Sequence, residues 1–212
     1  MLNKYLINVF VYPIKYFYSI SPIDSIKISS HKVFIMLSIG LISLLTNSAH
    51  AVSLDSVPVG GLVISEIMHN PDVVVDFRGE YIEIYNAHTE SIDINGLTVV
   101  SSGEAGFTIG QSITIPVGGY AVFASKETIA LNGGNTNVDF EYSYSSFKIT
   151  SSETISISNG ATTFDSVAYN SSTHPLLAGA ALILDSSALS STSNDTATNW
   201  CISGNIFGDG DY

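Results

Sequence analysis

The chain has 212 residues, 7 of them Lys or Arg, 19 Asp or Glu, and one cysteine, which fits a single domain behind a leader and excludes a disulfide framework or a cysteine-built zinc site. The charge is divided: residues 1–51 hold Lys4, Lys15, Lys27 and Lys32 against Asp24, a net of +3, whereas residues 52–212 hold only Arg78, Lys126 and Lys148 against 18 carboxylates, a net of −15. A body with three cations cannot neutralise a row of phosphates, so nucleic acid is not an expected partner.

In chain order, His31-Lys32, the apolar run Val33–Leu45 and Ala49-His-Ala51 have the layout of a secretory signal peptide cleaved after Ala51. The alternative is an uncleaved anchor, but the run is shorter than the roughly 20 residues that a membrane helix needs, and no stable span is expected after cleavage. The expected destination is extracellular or periplasmic. Residues 52–60 read as a short linker and 61–212 as the folded body.

The body is a series of short β-branched and aromatic runs, and several alternate at period two as half-buried antiparallel strands do. The clearest are 62–68, 80–86, 97–100, 112–115, 120–123, 154–158, 161–164 and 180–184. Asn159-Gly160 predicts a hairpin with a type I′ turn. Ser125–Leu131 predicts one or two helical turns with Ser125 as N-cap. Residues 132–137 and 186–199 read as surface loops, the second closed by a docked Trp200. Many strands and almost no helix predict an all-β sandwich.

Val63-Ile-Ser-Glu-Ile-Met-His-Asn-Pro71, Gly79-Glu-Tyr-Ile-Glu-Ile-Tyr-Asn86 and Ile92-Asp-Ile-Asn-Gly-Leu97 resemble the opening of a bacterial lamin tail domain. Ile113–Val122, with its Pro116 and Gly118-Gly119 turn, is similar to the family's entry into the next strand. Glu153–Ile157, Gly160, Phe164–Tyr169, Gly179–Leu184, Asn199-Trp200 and Phe207–Tyr212 follow in the family's order. The resemblance implies an immunoglobulin-like β-sandwich that is non-catalytic, secreted, and often an accessory module beside extracellular nucleases or other hydrolases. It also implies a Gly-x-Pro-Gly-like turn past the final aspartates, so a truncated last turn and a downstream enzyme domain are both expectations. In animal lamins the domain is linked to protein, DNA and chromatin binding; the −15 charge of this body argues against carrying the DNA link over.

Candidate chemistry is sparse. Glu66 and Glu83 sit on candidate neighbouring strands, Glu66 on a face with Leu62, Ile64 and Met68. They are either a carboxylate pair for acid–base or cation chemistry or partly solvated strand residues satisfied by nearby donors. Asn86 is expected to hydrogen-bond a turn backbone. Asp72, Asp76 and Glu80 around the first loop, with Asp209 and Asp211 near the end, are the candidate Ca²⁺ ligands, although no complete calcium-loop motif occurs. His69, His88 and His174 read as exposed loop residues, the alternative being His69 with Asp72 or Asp76 as a base or metal ligand. No nucleophile elbow, phosphate loop or dinucleotide motif is present. Cys201 is expected to pack as a small hydrophobe behind Trp200, the alternative being an intermolecular disulfide. Phe140, Tyr142 and Tyr144 alternate along an edge-like segment and are the candidate surface for a protein or a glycan. The reading is a non-catalytic secreted module with no cofactor, against the alternative of a metal-assisted hydrolase using Asp72, Asp76, Glu80 and His69.

Overall fold

The computed structural model describes residues 50–204. Residues 1–49 of the expected leader, and Asp209 and Asp211, lie outside the described residues. Strand β1 is Val52–Ser53 and β2 is Leu62–Met68. A four-residue helix, α1 (Asp76–Gly79), precedes β3 (Tyr81–Asn86). Then come β4 (Ile92–Asp93), β5 (Thr98–Ser101), β6 (Phe107–Thr108), β7 (Thr114–Ile115), β8 (Tyr120–Ala124) and β9 (Val138–Glu141). The hairpin β10 (Ser152–Ser158) and β11 (Thr163–Asn170) is followed by β12 (Leu182–Leu184) and β13 (Trp200–Ile202).

These strands form a six-stranded sheet, β13-β12-β2-β3-β8-β9, a four-stranded sheet, β11-β10-β5-β6, and a small sheet, β1-β4-β7. One hydrophobic core joins the two larger sheets: Ile64, Ile67, Ile82, Ile84 and Phe123 come from the first, and Val99, Ile155, Ile157, Phe164 and Val167 from the second. The domain is an all-β, immunoglobulin-like sandwich. Alternation decides which residues enter the core. In β10, Glu153, Ile155 and Ile157 are buried, while their neighbours are partly solvated.

Four expectations change. Residues 52–60 are not a linker: β1 pairs in parallel with β4, and Leu54 and Val57 belong to the core. Ser125–Leu131 forms no helix; the segment passes into hydrogen-bonded turns, with Leu131 and Asn132 donating to the Thr128 carbonyl. The strand placed at 161–164 runs instead over Thr163–Asn170. The β10–β11 turn is not type I′, because among the described residues no residue other than glycine has positive φ. Asn159 instead keeps an ordinary backbone, and its Oδ1 accepts from the Ala161 and Thr162 amides at 3.1 and 2.8 Å, while Gly160 takes φ 86°.

A bulge in β2 has larger consequences. Ile64 pairs with Ile84 but Glu66 pairs with Glu83, so Ser65 is the extra residue and the alternation reverses there. Leu62, Ile64 and Ile67 face the core, while Glu66 shares the outer face with Met68, not the face of Leu62 and Ile64 that simple alternation predicts. β12 reaches β2 only at Glu66 and Ile67, so the Ile64 amide has no ladder partner there. Asp165 of β11 supplies it: Oδ2 accepts from the Ile64 amide at 2.7 Å and from Asn194 Nδ2 at 2.6 Å. The Asn194 carbonyl in turn accepts from Trp200 Nε1 at 2.7 Å. This buried chain ties the two sheets and the long 185–199 loop together, and it explains why Trp200 docks.

Candidate functional site

Two regions gather polar or aromatic groups. The first is the outer face of the six-stranded sheet. Glu66 and Glu83 are direct cross-strand partners, an arrangement that repels when both are charged. Burial first, and then the Glu66 charge, push Glu83 up to about 7, against the hydrogen bond it accepts from Ser65 Oγ at 2.7 Å. Burial also raises Glu66, whose Oε1 accepts from the Tyr81 hydroxyl. Both carboxyls are engaged by neighbours within the sheet, which matches the expectation of strand residues satisfied by nearby donors. Tyr85 and Tyr120 pair beside them with ring centroids 5.0 Å apart.

The second region is built by the Pro71–Gly79 loop and by residues 141–151, which cross at Glu80. The loop turns back on Pro71 because Gly79 has no side chain: a Cβ there would lie 2.7 Å from Pro71 and 2.6 Å from Val74. Gly79→Ala is therefore expected to cost about 1–3 kcal/mol through forced displacement of the loop, read as a lowered thermal midpoint. An unchanged midpoint would show the loop to be slack.

The fold of this loop lifts Phe77 to the surface, 45% exposed, with its ring edge-on to Tyr144 at 6.3 Å. Arg78 lies over the Phe77 ring at 5.4 Å and Lys148 over the Tyr144 ring at 5.8 Å. On one side of this pair is a cleft of about 540 Å³ that includes the Lys126–Glu141 ion pair. On the other is a cleft of about 300 Å³, with His69, Asp76 and Glu80 opposite Lys148. All three basic side chains of residues 52–212 thus surround one aromatic pair.

Glu80 anchors the smaller cleft. Its Oε2 accepts from the Ile149 amide at 2.9 Å, and its backbone carbonyl accepts from the Ser125 amide and the Tyr142 hydroxyl. Burial pushes its carboxyl up to about 8, outweighing the Ile149 hydrogen bond, so it is mainly protonated at neutral pH. Burial lowers the pKa of His69, which the Asp76 charge partly opposes. His69 Nδ1 is buried and has no hydrogen-bond partner.

The sequence-derived candidates are therefore redistributed. His69, Asp76 and Glu80 line one cleft, but Glu80 is committed to Ile149, and no group of three or more His, Cys, Asp or Glu side chains placed to hold a metal occurs among the described residues. Asp72, Asp76 and Glu80 thus do not form the calcium group considered above. His69 and His174 are buried rather than exposed, His174 packing edge-on against Tyr169 and Trp200. Tyr142 is 2% exposed and stacks on Phe107 at 4.9 Å; it is core, because the chain after β9 turns inward. Phe140 also packs toward Phe107, which leaves Tyr144 as the member of the Phe140–Tyr142–Tyr144 set that lines both clefts. Cys201 is exposed on edge strand β13, not packed behind Trp200.

Asn86 matches its expected role. Fully buried, it donates through Nδ2 to the carbonyls of Glu90, Ile115 and Pro116 at 2.9–3.1 Å, and its Oδ1 accepts from the His88 amide at 2.8 Å. Phe77 and Lys148 are absent from the sequence candidates; the available signal was Phe77-Arg78, a lone aromatic and a lone cation side by side in an acidic and aliphatic loop.

Among the described residues no helix is long and apolar enough to cross a membrane. No curated protein and no solved structure matches the chain. The family model described as Lamin Tail Domain matches residues 56–171, more than half of the chain and the whole of β2 to β11. The chain belongs to the lamin tail domain family.

Proposed function

We propose that this protein is a secreted, non-catalytic interaction module that contacts a protein or polymer of its extracellular surroundings through the Phe77–Tyr144 patch. It works there without a metal or cofactor. The observation that carries the reading is the gathering of the three basic side chains of residues 52–212 around one aromatic pair, exposed Phe77 and half-buried Tyr144, beside two clefts. Exposed aromatics beside fixed donors are the usual anchors of recognition surfaces. The leader supports export, and the family's character as an immunoglobulin-like module supports binding over catalysis. In the smaller cleft His69 Nδ1 has no hydrogen-bond partner, and of the two carboxyls there Glu80 is tied to a backbone amide.

The test is retention of the purified protein on cell-envelope material from its own cells. Phe77→Ala and Tyr144→Ala are expected to abolish retention without changing the unfolding midpoint. Equal retention of wild type and both variants would overturn the patch as the contact site. Hydrolase assays with added Ca²⁺, Mg²⁺ or Zn²⁺ are expected to stay at background, and activity lost on Asp76→Asn or His69→Phe would overturn the non-catalytic reading.

A further inference from the structure

We propose that the cleft between His69 and Lys148 seats one neutral pyranose unit of an extracellular polysaccharide, with Tyr144, flanked edge-on by Phe77, as its aromatic wall. The proposal rests on the reading above that this patch is the contact site, and it names the ligand class. His69 is 8% exposed, lines the cleft and holds a buried ring nitrogen without a partner. A buried polar atom left unpaired carries a desolvation penalty, which a hydroxyl that enters and pairs with it relieves.

The remaining groups are of both hydrogen-bonding senses. The Asp76 carboxylate accepts, the Lys148 ammonium donates, and the Ser151 hydroxyl does either. A ring bearing several hydroxyls, each donor and acceptor, answers such a mixed wall. Charge argues against an anionic ligand. Lys126 is paired with Glu141, Lys148 shares its cleft with Asp76, and the body as a whole carries −15. The volume of about 300 Å³ lies at the small end of ligand sites, the scale of one sugar ring rather than a helix or strand of a partner protein.

The experiment presents the protein to a printed array of neutral oligosaccharides ending in glucose, galactose, mannose or N-acetylglucosamine, alongside uronate-bearing ones and a set of short peptides. A neutral sugar that binds is then titrated while the imidazole nitrogens are followed by ¹⁵N NMR. Binding is expected on neutral sugars and not on uronates or peptides. The His69 Nδ1 resonance is expected to move on titration. Tyr144→Ala and Lys148→Met are each expected to weaken binding about tenfold, the loss of one ring or donor contact, with an unchanged unfolding midpoint. Binding confined to uronates or peptides, neutral binding that both variants leave intact, or a stationary His69 signal would overturn the proposal. Envelope retention that Phe77→Ala abolishes while no sugar binds would remove the sugar and leave the patch standing. Retention indifferent to Phe77→Ala and Tyr144→Ala would remove the patch itself.

Discussion

Asn86→Ala is expected to destabilise the domain by roughly 3–5 kcal/mol, read from urea unfolding as a lowered midpoint at unchanged slope. The side chain is fully buried, and it organises two chain reversals at once. Its amide holds the Glu90 carbonyl on one side and the Ile115 and Pro116 carbonyls on the other, and its oxygen holds the His88 amide. The Asn86 backbone joins the same knot, donating to Gly119 and accepting from Gly118. Alanine leaves these buried backbone groups without partners, and that desolvation penalty, more than the lost attraction, sets the size of the effect. Asn86→Asp is expected to be worse than alanine, because it sets a carboxylate against three carbonyl oxygens. A loss below about 1 kcal/mol for alanine would mean that water replaces the side chain, and Asn86 would then not be a keystone.

The second large effect is on pH. Stability is expected to fall as pH rises from 6.5 to 8.5, with the steepest part below 8. Glu80 is raised from its ordinary 4.5 to about 8, Glu83 from 4.5 to about 7, and Asp165 from 3.8 to about 6. The cause is the same at each: burial disfavours the carboxylate more than the accepted hydrogen bonds favour it. Between the unfolded and folded values the native state binds more protons than the unfolded chain. Stability is then full below the unfolded value and is lost as pH rises through the folded one. Buried His69 and His174 act oppositely: their values lie below 6.5, so the stability they contribute is lost as pH falls below 6.5. The carboxyl-driven loss is therefore unopposed only above 6.5.

Around Glu80 the charges that tune this are Asp76 and Glu153, which raise it, and Lys148, which lowers it. Its displacement alone corresponds to on the order of 5 kcal/mol. Glu80→Gln keeps an acceptor for the Ile149 amide and cannot ionise. It is expected to remove most of the decline, giving a midpoint above wild type at pH 8.5 and close to it at pH 6.5. A wild-type profile flat across this range, or a Gln variant that follows it downward, would show that Glu80 ionises without cost.

The legibility of the fold varied with how local its causes are. β2, β3, β8, β10 and β12 were visible as apolar alternation because each lies between two neighbours and buries at least one face. β1, β4 and β6 are two residues long, and no periodicity can be read in two residues. β9 pairs in parallel at an edge and is only half buried, so its pattern is blurred. The β2 bulge was invisible because Val63-Ile-Ser-Glu-Ile alternates equally well with either phase. What selects the phase is Asp165, which waits about a hundred residues later to take the Ile64 amide.

The site was less legible for the same reason. Asn86 could be placed in a turn because its partners are mostly close in sequence or in the adjoining turn. The acidic loop suggested cation ligands, since a sequence shows carboxylates but not what buries them. Burial gave Glu80 to a backbone amide and protonated it. Tyr142 and Tyr144 looked equivalent two residues apart, yet one is core and the other rims the clefts, because the chain bends inward after β9.

The sequence by itself determined the class: the division between a basic first 51 residues and an acidic remainder, the all-β sandwich, the lamin tail resemblance and the turn role of Asn86. Each follows from composition, alternation or short-range hydrogen bonding, which act within a few residues. The tertiary structure decided the phase of β2, the burial of His69 and Glu80, and the meeting of Arg78, Lys126 and Lys148 around Phe77 and Tyr144. Those depend on segments up to about a hundred residues apart in sequence being brought together, and only the packing of two sheets supplies that proximity.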